Sequence, residues 1–175
     1  SDDVSDGMDI GQFLLAPVPS AAGADRTFES VVAVGDAAPG DAKFAKLEPG
    51  SLSVSGTVAD GMHMVFQGTT DAGVMGLFRA SRPAEKGSSR QLEEGGASWA
   101  LTKIVDNSTA MPAPDADTTF KELAGAGGGS PVSNAGDHVL FFGGNMKGEM
   151  DPSNRDGVYI WSESMDLTAW QRICN

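Results

Sequence analysis

In 175 residues, 24 acidic side chains stand against 12 basic ones, a formal net charge of −12. A surface of that sign repels nucleic-acid phosphates and anionic lipid headgroups, which bind by releasing counterions to a cationic partner, so neither is expected to bind here. The length suits one domain with a hydrophobic core, and a single cysteine, Cys174, excludes an intrachain disulfide and a multi-cysteine zinc site.

Residues 1–9 are acidic and polar, the opposite of the basic start of a secretory leader, so any export signal is expected to have been removed. The longest apolar runs, 13–18 and 139–142, fall far short of the roughly 20 residues of a membrane-crossing helix, so no membrane span is predicted. A composition rich in Gly, Asp, Ser and Ala points to an extracellular or organelle-lumenal β protein. Residues 1–27 read as an irregular N-terminal segment. Within it, Gly11-Gln12-Phe13-Leu14-Leu15 echoes a strand motif found further along and predicts one more strand.

An internal repeat organises the rest. Gly61-Met62-His63-Met64-Val65-Phe66-Gln67-Gly68 matches Gly136-Asp137-His138-Val139-Leu140-Phe141-Phe142-Gly143, 75 residues later. Each copy is followed by a glycine-led apolar strand, Gly76-Leu77-Phe78 or Gly157-Val158-Tyr159. Phe28, Trp99 and Trp170, each 71 residues from the next, precede further apolar runs and suggest units over 28–98 and 99–169, with a further strand or repeat starting at 170–175.

Each unit reads as four strands. The first covers 31–34 or 101–105, and a second, weaker one covers 47–54 or 123–132. The third carries His-x-x-Phe, and the fourth covers 74–79 or 158–162. Asp60-Gly61, Asp71-Ala72-Gly73, Ala135-Gly136-Asp137 and Asp156-Gly157 supply the turns. No long window has a period of 3.6, so few helices are expected. In the third strand Met64 and Phe66 share one face while His63 and Val65 share the other, and both faces are apolar. Such a sheet needs cover on both sides, as when small sheets stack around an axis. The predicted fold is therefore all-β, with tandem four-stranded antiparallel blade-like repeats in a partial β-propeller; an open two-sheet sandwich is the alternative. Two blades cannot close a ring. The chain is thus expected either to belong to a longer polypeptide or to complete its sheets by self-association or within a larger assembly.

The run from Ser133 to Phe141 with its following Gly157-Val158-Tyr159 resembles the bacterial surface tandem repeats whose signature is NxxGxxAF, although Ser133 replaces the signature Asn and Val139-Leu140 replace Ala-Phe. The Pro-Gly turn of Ala38-Pro39-Gly40 fits the same family. That resemblance implies an exported, surface-displayed β-propeller-like protein and carries no chemistry. Residues 92–99, ending Gly96-Ala97-Ser98-Trp99, resemble the Asp-box turn of sialidase-like propellers, which is a folding element outside the catalytic centre; Leu92 and Glu94 depart from it.

Residues with chemical potential are few. His63 and His138, at matching places in two sheets, suggest metal ligation or proton transfer, but equivalent residues of separate sheets are expected to lie too far apart to share an ion. Oxygen ligands cluster between Asp151 and Gly157, yet Arg155 interrupts the spacing and a hairpin loop accounts for the run. Gly125-Ala126-Gly127-Gly128-Gly129 lacks the Lys-Ser or Lys-Thr of a phosphate cradle and reads as a loop. Serines lack a Gly-x-Ser-x-Gly elbow, and Cys174 reads as a small strand residue. Tyr159 and Trp161 alternate with Val158 and Ile160, and core packing is expected of them ahead of sugar stacking. No catalytic, cofactor or metal residues are therefore assigned and no cofactor is expected. The predicted function is a non-enzymatic interaction or scaffold module that binds protein or glycan through loops. The alternatives are a fragment of a propeller-type carbohydrate-active hydrolase and an accessory subunit of a large assembly.

Overall fold

The computed structural model describes residues 13–17, 28–48, 52–57, 61–83, 99–112, 116–123, 133–135, 138–145, 157–164 and 171–172. Every regular element among them is a strand. β1 (Phe13–Pro17) and β2 (Phe28–Ala33) form an antiparallel leading pair. Sheet one contains β3 (Ala37–Ala38), β4 (Ala42–Leu47), β5 (Ser53–Thr57), β6 (Gly61–Thr70), β7 (Met75–Arg82) and β8 (Ala100–Asp106). Sheet two contains β9 (Glu122–Leu123), β10 (Ser133–Ala135), β11 (His138–Gly144), β12 (Gly157–Ser162) and β13 (Gln171–Arg172). The fold is all-β and antiparallel, with blade-like sheets that match a partial propeller or an open sandwich.

The extra strands resolve into a four-stranded plan. β4 lies along β6 from Thr70 to Gly68 and β5 continues along the same edge from Val65 to Gly61, so the two are pieces of one interrupted strand. β9 and β10 divide the corresponding edge of β11 in the same way. The second strand expected over 47–54 is therefore corrected to two pieces, ending as β4 at Leu47 and resuming as β5 at Ser53; of the one expected over 123–132, Leu123 ends β9 and the rest lies outside the described residues. A period of two cannot reveal where a backbone leaves its ladder, because pairing is set by the partner strand, which local alternation does not report.

The repetition is exact enough to be read in ring geometry. In sheet one Phe44, Phe66 and Phe78 form a triad, with Phe44–Phe78 at 4.9 Å and 85° and Phe66–Phe78 at 5.9 Å and 27°. In sheet two Phe120, Phe141 and Tyr159 repeat it, with Phe120–Tyr159 at 5.0 Å and 86° and Phe141–Tyr159 at 5.7 Å and 27°. Edge-to-face and offset pairs of this kind place positive ring edges against negative ring faces. One glycine in each sheet admits the ring: a Cβ at Gly68 would lie 3.2 Å from Phe44, and one at Gly143 would lie 2.9 Å from Phe120. The cross-strand register agrees, since His63 faces Ser81 and His138 faces Ser162.

The leading pair belongs to the same plan. β1 and β2 shift register between Leu14 and Leu15, just as β7 and β8 do between Leu77 and Phe78. β1 thus takes the place of a fourth strand. The strand expected at 11–15 exists over Phe13–Pro17, but it is paired as the counterpart of β7, whereas its sequence echoes β6. Phe28 partners Pro17 as Leu101 partners Ala80, so the counterpart of Phe28 is Leu101; the even spacing of Phe28 and Trp99 is not the structural equivalence. Each sequence repeat lends its first strand to the sheet before it: β2 lies on β1, β8 on β7 and β13 on β12.

Two cores result, one on each face of sheet one. Between the leading pair and sheet one lie Val32, Phe44, Leu47, Met62, Met64, Phe66, Phe78 and Ala80, with Val31, Trp99 and Leu101 packed at the margin. Between sheet one and sheet two lie Val65, Leu77, Val105, Met111, Phe120, Val139, Phe141, Tyr159 and Trp161. The apolar character of both faces of β6 is thereby explained, and each fully buried large side chain contributes about 1.5–3 kcal/mol.

Candidate interaction surface

Alternation places His138, Leu140 and Phe142 on one face of β11 and Val139 and Phe141 on the other. The second set is buried in the core against sheet one. The first set meets its β12 partners Ser162, Ile160 and Val158 on the far side, giving a grid of three cross-strand pairs. Leu140, Val158 and Ile160 are half-buried there and Phe142 is 46% exposed. In sheet one the register-equivalent grid is His63–Ser81, Val65–Arg79 and Gln67–Leu77. Sheet two covers it, leaving Val65 and Leu77 at 0% exposure.

The covered grid shows what the contact between sheets requires. The Arg79 side chain is buried at the seam, where its Nε donates to Ser81 Oγ at 2.7 Å and its guanidinium pairs with Glu163 just beyond β12. The guanidinium carbon also sits 5.2 Å from the centre of the Trp161 ring, a cation–π contact across the sheets. Because Arg79 can only donate, Ser81 Oγ accepts from it, and the same oxygen is hydrogen-bonded to His63 Nδ1, 3.1 Å away, in a direction set by the imidazole tautomer. At the other seam, Arg82 on β7 pairs with Glu29 on β2, and Trp99 Nε1 donates to the same carboxylate at 3.1 Å. Arg82 and Glu163 hold equivalent register positions, each one residue past the serine opposite histidine. Each links its sheet to the one before, with the sign of the charge reversed.

A cleft of about 250 Å³ opens at one end of sheet one, among the turns holding Pro39, Gly40, Ala72 and Asp106, with Val74 and Lys103 alongside. Asp106 dominates its electrostatics. Burial works to raise its pKa, but hydrogen bonds from Lys103 at 2.7 Å, Ser108 Oγ at 2.6 Å and Thr109 Oγ1 at 2.9 Å, with the Ser108 N–H, outweigh it and hold it at about 2 against an ordinary 3.8. The carboxylate is thereby committed to closing the turn after β8. The turn after β2 is built alike, with Asp36 accepting from the Ala33 N–H where Thr109 accepts from the Asp106 N–H.

The residues singled out by sequence are dispersed. His63 lies in the seam and His138 on the open grid, in separate sheets, and no group of three or more His, Cys, Asp or Glu among the described residues is arranged to hold a metal. Tyr159 and Trp161 are core residues, as expected. The oxygen-rich run 151–156, the glycine run 125–129, residues 92–98 of the Asp-box-like turn, residues 1–9 and Cys174 lie outside the described residues. Among the described residues no helix is long and apolar enough to cross a membrane. Sequence reasoning missed Phe44 and Phe120, the third members of the triads. Their separation is within one residue of that between the two histidines, a signal hidden because neither sits in a recognisable motif. Comparison with family models, curated proteins and solved structures returned no match to this chain.

Proposed function

We propose that the chain is a non-enzymatic interaction or scaffold module of an exported or lumenal acidic β-repeat protein. The observation that carries this reading is the open grid of Leu140, Phe142, Val158 and Ile160, an apolar sheet face whose equivalent in sheet one is buried under a neighbouring sheet. The same face supports the related reading of an accessory subunit in a larger assembly. The chemistry at the cleft agrees, because Asp106 is driven toward its charged form, the reverse of what a general acid near neutral pH needs. Contact with protein or glycan through the turns around the cleft belongs to the same reading.

An apolar-surface dye, ANS, tests the face directly. The full chain is expected to enhance ANS fluorescence, and Phe142→Asp is expected to remove most of that signal with the near-ultraviolet circular dichroism of the buried Trp161 unchanged. A native-like chain that binds no ANS at Phe142 would overturn the reading.

A further inference from the structure

We infer that the open face of sheet two is the seat for a second copy of this chain, docked head to tail through its leading β1–β2 pair. The inference rests on the interaction reading above and names the partner of that face. Sheet one is covered on its trailing face by a sheet of the same repeat, and it covers the leading pair in the same manner, so this molecule already contains the contact twice. Among the described residues, the leading face of the β1–β2 pair and the far face of sheet two are the two faces that carry no such contact.

Equivalence fixes both halves. On the trailing end, Leu140, Val158 and Ile160 occupy the positions of Val65, Leu77 and Arg79, all buried in sheet one. On the leading end, Phe28 occupies the position of Leu101, which packs at the margin of the core between sheet one and the pair before it. Among the described residues no such sheet lies in front of Phe28, which is 60% exposed. Glu29, the next residue along β2, turns inward to Arg82, so alternation points Phe28 away from sheet one. A second copy brings Phe28 of one molecule toward the Leu140–Phe142 grid of the other and continues an interface the chain already has. The contact is heterologous and closes into a ring or propagates. Two chains with three sheets or part-sheets apiece fall within the range of about four to eight blades in which such stacks close.

Two chains of charge −12 repel each other, so association is expected to strengthen with salt. Raising ionic strength from about 0.01 M to about 0.15 M shortens the screening length from about 30 Å to about 8 Å.

Light scattering coupled to gel filtration, on the full chain over a concentration and salt series, is the test. The expected result is a mass of two chains or more that rises with concentration and salt. Phe142→Asp and Phe28→Asp should each weaken association by roughly tenfold or more with near-ultraviolet dichroism intact. Mixed one to one, the two variants should recover a heterodimer, because each retains the surface the other has lost. A Phe28→Asp variant that associates like the parent, or a mixture that stays monomeric, overturns the head-to-tail contact. A parent chain that is monomeric throughout also overturns it. ANS then separates the two readings: a monomer whose dye signal depends on Phe142 keeps the interaction surface, whereas a monomer without that signal loses both.

Discussion

Sheet one and sheet two are the same object in two environments. Their aromatic triads match in distance and angle, each has a glycine that admits the equivalent phenylalanine ring, and each has a histidine facing a serine at the same register. They differ in cover: sheet one is sandwiched between two apolar cores, and sheet two has one core and, among the described residues, no second sheet on its other face. Local sequence builds the sheet, while stacking decides what each face contributes. A repeat position such as 77 or 158 therefore has no fixed energetic value; its neighbours set it.

Truncating the shared part should have the largest effect and the same effect in both sheets. Phe66→Ala and Phe141→Ala are each expected to cost about 3–5 kcal/mol in urea unfolding, because each leaves a cavity inside a triad. A difference above about 2 kcal/mol between them would break the equivalence. The next comparison targets cover. Leu77→Ala should cost about 2–5 kcal/mol, whereas Val158→Ala should cost about 1 kcal/mol or less, provided the protein is dilute enough to be unstacked. At concentrations where copies associate, the cost of Val158→Ala should rise, since a partner that binds only the folded chain adds to its stability.

Asp106 sharpens the comparison at the turns, because the corresponding position after β2 is Ala33 and carries no titrating group. A carboxyl held at about 2 in the folded chain and near 3.8 when unfolded stabilises the fold at neutral pH. Its contribution of about 2 kcal/mol is complete above pH 4 or so and is lost as pH falls toward about 2. Asp106→Asn should remove that part of the acid sensitivity, read as a flatter stability profile over this window. The smallest effect is expected at the charged links. Glu163 is 59% exposed, so Glu163→Gln should change stability by less than about 1 kcal/mol. Glu29→Gln should cost more, because Glu29 is better buried and also accepts from Trp99. Thermal unfolding of the two variants side by side gives the order.

The His-x-x-Phe strands were legible because a repeated segment with alternating apolar residues has few other structural solutions, and the all-β class followed from them with the spacing of turn formers. The double-sided burial of β6 was legible too, since Met64, Val65 and Phe66 leave neither face polar. The interruption between β4 and β5 was not, nor was the place of Phe44 in the triad, because both depend on pairing with β6 residues some twenty positions away. Phe28 and Trp99 misled for the same reason: even spacing along a chain does not measure hydrogen-bond register.

What the sequence determined by itself is therefore the unit, a small antiparallel sheet repeated along the chain, because alternation and turn chemistry act over a few residues. Tertiary structure decided the phase of the repeat, the sharing of each first strand with the preceding sheet, and the difference between a covered and an open face. Those depend on which sheet lies against which, and a chain of equivalent units does not encode in any one unit whether it stands inside the stack or at its end.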